Sequence, residues 1–271
     1  MASTRATVLK TTQIVNNPIF NDIGLYEYVC MQFGQQEHHW ETELYETISN
    51  EEYFSFPKQR VQFSLFNKQC TMKRDQLFFS TQDNLDGVGS QRFSDCDSPE
   101  GYQFNNISVT THPFECIPDN IKNIVFELYT DLMPQMNIDQ VPAGHHVVLS
   151  MMLQRYYDDD EILSHHDAED DLNPDAPVII LSIGKTRIFR IRHKSLSQKA
   201  ANRESHEFEF DEYRVPLKHG QVIYFGKKMN QTFKHSILKM DRGEKRDFEA
   251  KRLQDFQCRY SISIRQLILP N

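Results

Sequence analysis

The sequence predicts a mainly β fold, a sandwich or jelly roll with helices packed outside the sheet, and three observations carry that prediction. The C-terminal half is a succession of short apolar runs separated by polar segments: HVVLSMML (146–153), PVIILSIG (177–184), RIFRIRH (187–193), EFEFDEY (207–213), QVIYFG (221–226), FKHSIL (233–238) and CRYSISIRQL (258–267). Many short strands in sequence favour a sandwich or jelly roll over a parallel sheet with alternating helices. Residues 52–115 repeat the pattern with short aromatic and β-branched runs broken by clusters such as TQDNLDGVGS, read as strands and long loops. Only two segments read as helices.

The first helix is expected over residues 17–34, NPIFNDIGLYEYVCMQFG, with Ile19, Ile23, Leu25, Tyr26 and Val29 as its apolar face and Asn17 before Pro18 as its start. The second is expected over 119–132. Ile121, Ile124, Val125, Leu128 and Leu132 align at helical spacing, Asp119 after Pro118 can cap its start, and Pro134 stops it. No linker or repeat divides the chain, so residues 1–271 read as one domain.

Composition narrows the class. There are 30 Lys+Arg against 38 Asp+Glu, a net charge of −8, with 39% hydrophobic residues. That balance fits a globular core and excludes collagen-like or wholly disordered chains. No apolar run is long enough to span a membrane, and MASTRATVLKTTQIV lacks a secretory signal pattern. The five cysteines (Cys30, Cys70, Cys96, Cys116, Cys258) are odd in number and contain no CxxC, which points to a reducing, intracellular compartment, cytoplasmic or nuclear. Charge is unevenly placed: residues 158–175 hold nine acidic residues and no Lys or Arg, whereas 227–252 hold nine basic and four acidic. The overall sum therefore does not exclude a polyanionic substrate.

Four short motifs carry the chemistry. In order they are Gln154-Arg155-Tyr156, then His165-His166-Asp167, then Lys234-His235-Ser236, and last Arg259-Tyr260-Ser261-Ile262-Ser263-Ile264-Arg265. In an extended segment His165 and Asp167 project to one side, with His166 opposite. With His235 from a later strand they make two imidazoles and one carboxylate, a set that leaves three positions open on an octahedral ion, as in non-haem Fe(II) oxygenases. In the closing strand Tyr260, Ile262 and Ile264 alternate with Arg259, Ser261, Ser263 and Arg265. Two guanidiniums flanking small hydroxyls could bracket a short dicarboxylate, or could form an ordinary solvated face.

Together these motifs resemble the AlkB family of Fe(II)- and 2-oxoglutarate-dependent dioxygenases, in which an Asn-x-Tyr, an HxD, a distal His and an Arg-x-x-x-x-x-Arg follow in that order. SIG (182–184), His219-Gly220 with the following QVIYFG, and RYSISIR (259–265) resemble further elements of that family. Gln154 departs from the usual Asn, and Gln221 from an Asp expected to be structural. The resemblance implies a double-stranded β-helix (jelly-roll) core over about 113–267, preceded by an N-terminal extension and substrate-recognition region over about 1–112. It also implies Fe(II) held by His165, Asp167 and His235, and 2-oxoglutarate and O2 as co-substrates. Arg259, helped by Tyr156, would pair with the distal carboxylate of 2-oxoglutarate. Gln154 and Arg265 would lie near its metal-bound end, and Arg155 would face the other side of its strand. Glu169 would sit near a substrate base.

Oxidative N-demethylation of methylated DNA or RNA, with release of formaldehyde, succinate and CO2, is the activity implied. The acidic balance keeps a protein or small-molecule substrate in view, and Gln154 a non-catalytic binding protein of the same fold.

Overall fold

The computed structural model describes residues 13–14, 24–29, 40–57, 60, 62–65, 68–81, 102–104, 107–109, 111–133, 141–167, 172–194, 212–240, 243 and 256–270. Its strands, in chain order, are β1 (Gln13–Ile14), β2 (Leu25–Val29), β3 (Gln62–Leu65), β4 (Lys68–Thr71), β5 (Asp75–Ser80), β6 (Tyr102–Phe104), β7 (Ile107–Val109) and β8 (Thr111–Pro113). They continue as β9 (His145–Tyr156), β10 (Ile162–His165), β11 (Val178–Gly184), β12 (Arg187–His193), β13 (Glu212–Leu217), β14 (Gln221–Phe225), β15 (Phe233–Ile237) and β16 (Arg259–Pro270). The α-helices are α1 (Trp40–Ser49), α2 (Asp119–Leu132) and α3 (Lys227–Thr232).

Two sheets, antiparallel except for the β5–β8 pair, make the jelly-roll core. The larger runs β1-β2-β14-β11-β16-β9-β5-β8, and the smaller β10-β15-β12-β13. Alternation along the strands sorts side chains into two layers. On the outer face of the large sheet Met151, Leu153, Ile179, Leu181, Ile183, Tyr260, Ile262 and Ile264 pack with Leu44 and Ile48 of α1 and Ile121, Val125 and Leu128 of α2. On its inner face Tyr156, Val178, Ile180, Ile223 and Phe225 meet Phe189, Ile191, Val215, Phe233 and Ile237 of the small sheet. The alternation read in the closing strand is thus real, but its polar face is not solvated: Arg259, Ser261, Ser263 and Arg265 are all buried between the sheets.

Helix α2 has the predicted bounds and the predicted apolar face. Its N-cap is Pro118, without a side-chain cap, and Asp119 is instead the first helical residue, paired with Lys122 at 3.0 Å. The helix expected over 17–34 is corrected. Within the described part of it, Leu25–Val29 is strand β2, paired with β14 so that Tyr28 opposes Val222 and Leu25 opposes Phe225. Gly24, at φ +74, turns the chain into the strand. A stretch with two Tyr and a Val suits a pleated, half-buried strand, and tertiary pairing overrides the local helical spacing. Helix α1 escaped the sequence reading, although Leu44 and Ile48 stand four apart and are both buried. Much of the loop run at 81–90, and residues 207–211 of EFEFDEY, lie outside the described residues. Among the described residues no helix is long and apolar enough to cross a membrane.

A charged lattice ties β5 to the start of the site. Asp75 accepts from Nε of both Arg60 and Arg155 at 2.9 Å, and Arg60 forks onto Asp160 at 2.6 and 2.8 Å. Arg155 therefore faces away from Gln154 and Tyr156, and it lies 4.3 Å from the centre of the Phe56 ring. Asp75→Ala strips both guanidiniums of a buried partner and is expected to lower unfolding free energy by about 3 kcal/mol. A urea titration comparing the variant with the parent checks this.

Candidate metal centre

Strand register assembles the centre. In the β10–β15 pair His165 opposes His235, and the ring centroids stand 4.3 Å apart. Asp167 follows β10 by two residues. Its Oδ1 lies 3.8 Å from His165 Nε2 and its Oδ2 4.0 Å from His235 Nε2. One ligand atom from each residue falls within 4.8 Å of the other two, a grouping that one ion can bridge. His166 is exposed and outside that group.

The neighbours put each group in a ligating state. The Nδ1 of His165 meets the Leu163 carbonyl at 2.9 Å. The ring therefore donates there, which leaves the Nε2 lone pair toward Asp167. Burial lowers the His165 pKa, and burial together with the nearby His165 pushes His235 down to about 3, so both imidazoles are neutral at ordinary pH. His235 is fixed by aromatic packing, its ring 5.4 Å from Phe189 and 5.1 Å from Phe225. Burial raises the Asp167 pKa, but the opposing pull of charges around it, Arg265 foremost, leaves it below the usual carboxylate range. Arg265 Nη2 donates to Asp167 Oδ1 at 3.1 Å, so this guanidinium steadies the carboxylate.

The second half of the pocket comes from β9 and β16, where Arg259 opposes Tyr156 and Ser261 opposes Gln154. Arg259 is 1% exposed. Its Nε donates to Ser182 Oγ at 2.9 Å, and its Nη2 to Ser261 Oγ at 3.2 Å. The guanidinium also lies 5.1 Å from the centre of the Tyr156 ring. Burial pushes Arg259 down to about 10, which keeps it charged at neutral pH. Gln154 accepts from the Tyr156 hydroxyl at 2.8 Å and directs its Nε2 to Met152 Sδ at 3.5 Å. In this state the Gln154 amide is engaged with Tyr156. Gln221 spends its side chain on Glu27 and the Lys218 amide, as a structural residue would.

One pocket is lined by the whole set: His165, Asp167 and His235 with Gln154, Tyr156, Arg259 and Arg265. Two of its buried atoms, Asp167 Oδ2 and Arg259 Nη1, lack a hydrogen-bond partner. A free carboxylate oxygen at one end and a free guanidinium nitrogen at the other fit a cation and an anion respectively. Arg74, on the bend before β5, lines the same pocket. Nothing in the local sequence, a polar KRD turn, marked it. Glu169 lies outside the described residues.

A family model described as the 2OG-Fe(II) oxygenase superfamily matches residues 45–265. Among solved structures the chain is similar to that of OsALKBH1, with 12% identity, coverage of 94% of this chain and 99% of that one, and a TM-score of 0.39. No curated protein matches the sequence.

Proposed function

The chain belongs to the 2OG-Fe(II) oxygenase superfamily, with AlkB-like motifs in their usual order, and from that membership we propose that it demethylates N-methylated bases in DNA or RNA. It is an oxidoreductase whose family uses Fe(II), 2-oxoglutarate and O2. His165, Asp167 and His235 would hold the iron. Arg259 with Tyr156 would hold the far carboxylate of 2-oxoglutarate, with Gln154 and Arg265 nearer its metal-bound end. When bound, these groups supply an oxidant that converts an N-methyl to an N-hydroxymethyl group, which loses formaldehyde, with succinate and CO2 as co-products.

The protein's own contribution is placement. The Arg259 fork offers paired donors to a carboxylate, and Arg265 holds the orientation of Asp167. Val178, Ile180, Phe189 and Ile237 line the same pocket and limit water there. Arg259→Lys keeps the charge and loses the planar fork. Its KM for 2-oxoglutarate is expected to rise about ten-fold or more, with a smaller change in kcat, in an assay of succinate formation.

The observation that carries the nucleic-acid reading is the rim of the site. A cleft of about 340 Å³ adjoins the metal pocket through Asp167 and is lined by His166, Lys194 and Lys227. Burial, and after it the nearby Lys234, lowers the pKa of both His166 and Lys194. Such a cationic rim suits phosphates flanking an inserted base. The deciding experiment incubates the iron-loaded protein with methylated DNA and RNA oligonucleotides and follows methyl loss by mass spectrometry. Real 2-oxoglutarate turnover without methyl loss on either polymer rejects the reading.

The acidic run over 158–175 favours a second reading, a protein or small-molecule substrate. Binding of polynucleotide that weakens steeply with salt counts against it. A reducing intracellular setting belongs to the same proposal, in keeping with the free thiols of Cys116 and Cys258.

A further inference from the structure

Two polar side chains on β5 and the bend before it have no role in the chemistry above. Arg74 lines the metal pocket, yet its buried Nε has no hydrogen-bond partner. Gln76 is 6% exposed, and both its Nε2 and its Oε1 lack partners. Gln76 is in β5, and Arg74 is on the bend two residues before it. Gln76 lies directly across from Gln154, which lines the pocket. Outward-facing Asp75 between them is fully engaged by Arg60 and Arg155.

Leaving these groups unmatched costs stability in the free protein, since buried donors and acceptors without partners carry their full desolvation penalty. Burial disfavours the Arg74 charge and Arg265 opposes it, whereas Asp160 and Asp167 favour it without bonding its Nε. Asp160 is taken by the Arg60 fork, and Asp167 by Arg265. The pocket lining as a whole carries three guanidiniums, Arg74, Arg259 and Arg265, against one carboxylate, Asp167. A divalent ion and a dicarboxylate cancel each other, so this positive excess persists in the loaded site.

We propose that Arg74 and Gln76 form the substrate-reading edge of the pocket, taking a neutral group with carbonyl-type acceptors and rejecting a cationic one. This rests on the demethylase reading for its natural substrate. A guanidinium offers paired donors to two acceptors, and a carboxamide Nε2 donates to a carbonyl. A base that becomes a cation on methylation would instead enter a field of its own sign.

The test uses the full chain, loaded anaerobically with Fe(II) and 2-oxoglutarate, and single-stranded oligonucleotides followed by fluorescence anisotropy. One carries 3-methylthymine, neutral with a carbonyl on each side of the methyl. One carries 1-methyladenine, a cation. A third is unmodified. The neutral base is expected to bind about ten-fold tighter than the cationic one, and Arg74→Met and Gln76→Leu each to lose about that factor for it. Both variants should melt at or above the parent temperature, because an apolar group replaces an unmatched polar one. Their affinity for 2-oxoglutarate should be unchanged.

Preference for the cationic base overturns the proposal. Lowered melting with unchanged oligonucleotide affinity overturns it too, as the mark of structural residues. Loss of 2-oxoglutarate binding also overturns it, by making Arg74 a co-substrate ligand. If neither methylated oligonucleotide binds better than the unmodified one, the demethylase reading falls, and acetate titrated into the same loaded protein decides for Arg74. Weaker acetate binding in Arg74→Met then upholds the acceptor edge, and equal binding overturns it.

Discussion

Asp167→Ala is expected to abolish succinate formation from 2-oxoglutarate, by well over about a hundred-fold, since even outer partners of metal ligands are worth 10–100-fold. Two effects add. The carboxylate supplies the only negative charge among the three grouped ligands, and its Oδ2 is the atom left unmatched beside His235. It also accepts from Arg265, a buried guanidinium that the substitution leaves facing two imidazoles. Asp167→Asn separates the effects. It can still accept a hydrogen bond from Arg265, so its thermal stability should stay near the parent's while metal affinity falls. Anaerobic Fe(II) titration followed by the absorption of the iron–2-oxoglutarate complex measures the affinity. Full metal affinity in Asp167→Ala would remove this residue from the centre.

Gly184→Ala is expected to cost about 3–5 kcal/mol of stability, the sum of a strained positive φ and a steric clash. Gly184 sits at φ +89, and an added Cβ would lie 2.4 Å from the Cys258 carbonyl oxygen and 2.9 Å from the Tyr45 ring. The carbonyl is backbone and cannot rotate away. For a chain of this size the melting temperature should drop by about 10 °C. The site should suffer as well, because Gly184 pairs with Arg259 in the β11–β16 register and its N–H donates to His219 Nδ1 at 2.9 Å. An unchanged melting temperature would show that β11 can shift without cost.

The two predictions draw on different kinds of legibility. Asp167 could be picked out by reading alone, because an imidazole and a carboxylate two residues apart already imply a shared side. Gly184 lay in a segment noted for its resemblance, SIG, but the crowding that demands glycine comes from Cys258 and Tyr45, both remote in sequence. The same division runs through the fold. Period-two alternation in 259–265 was visible, whereas its burial depended on a facing second sheet. Helical spacing over 17–34 was visible too, and it misled, because pairing with β14 outweighed it.

By itself, the sequence determined the strand-rich class, the histidine and aspartate motif and the two arginines of the closing strand, since side-chain period and donor chemistry are local properties. Only the tertiary structure decided that His165 opposes His235, that Arg265 grips Asp167, and that Arg74 Nε and the Gln76 carboxamide are buried without hydrogen-bond partners. Cross-strand register and packing between sheets set those relations, and both are fixed by contacts between residues far apart along the chain.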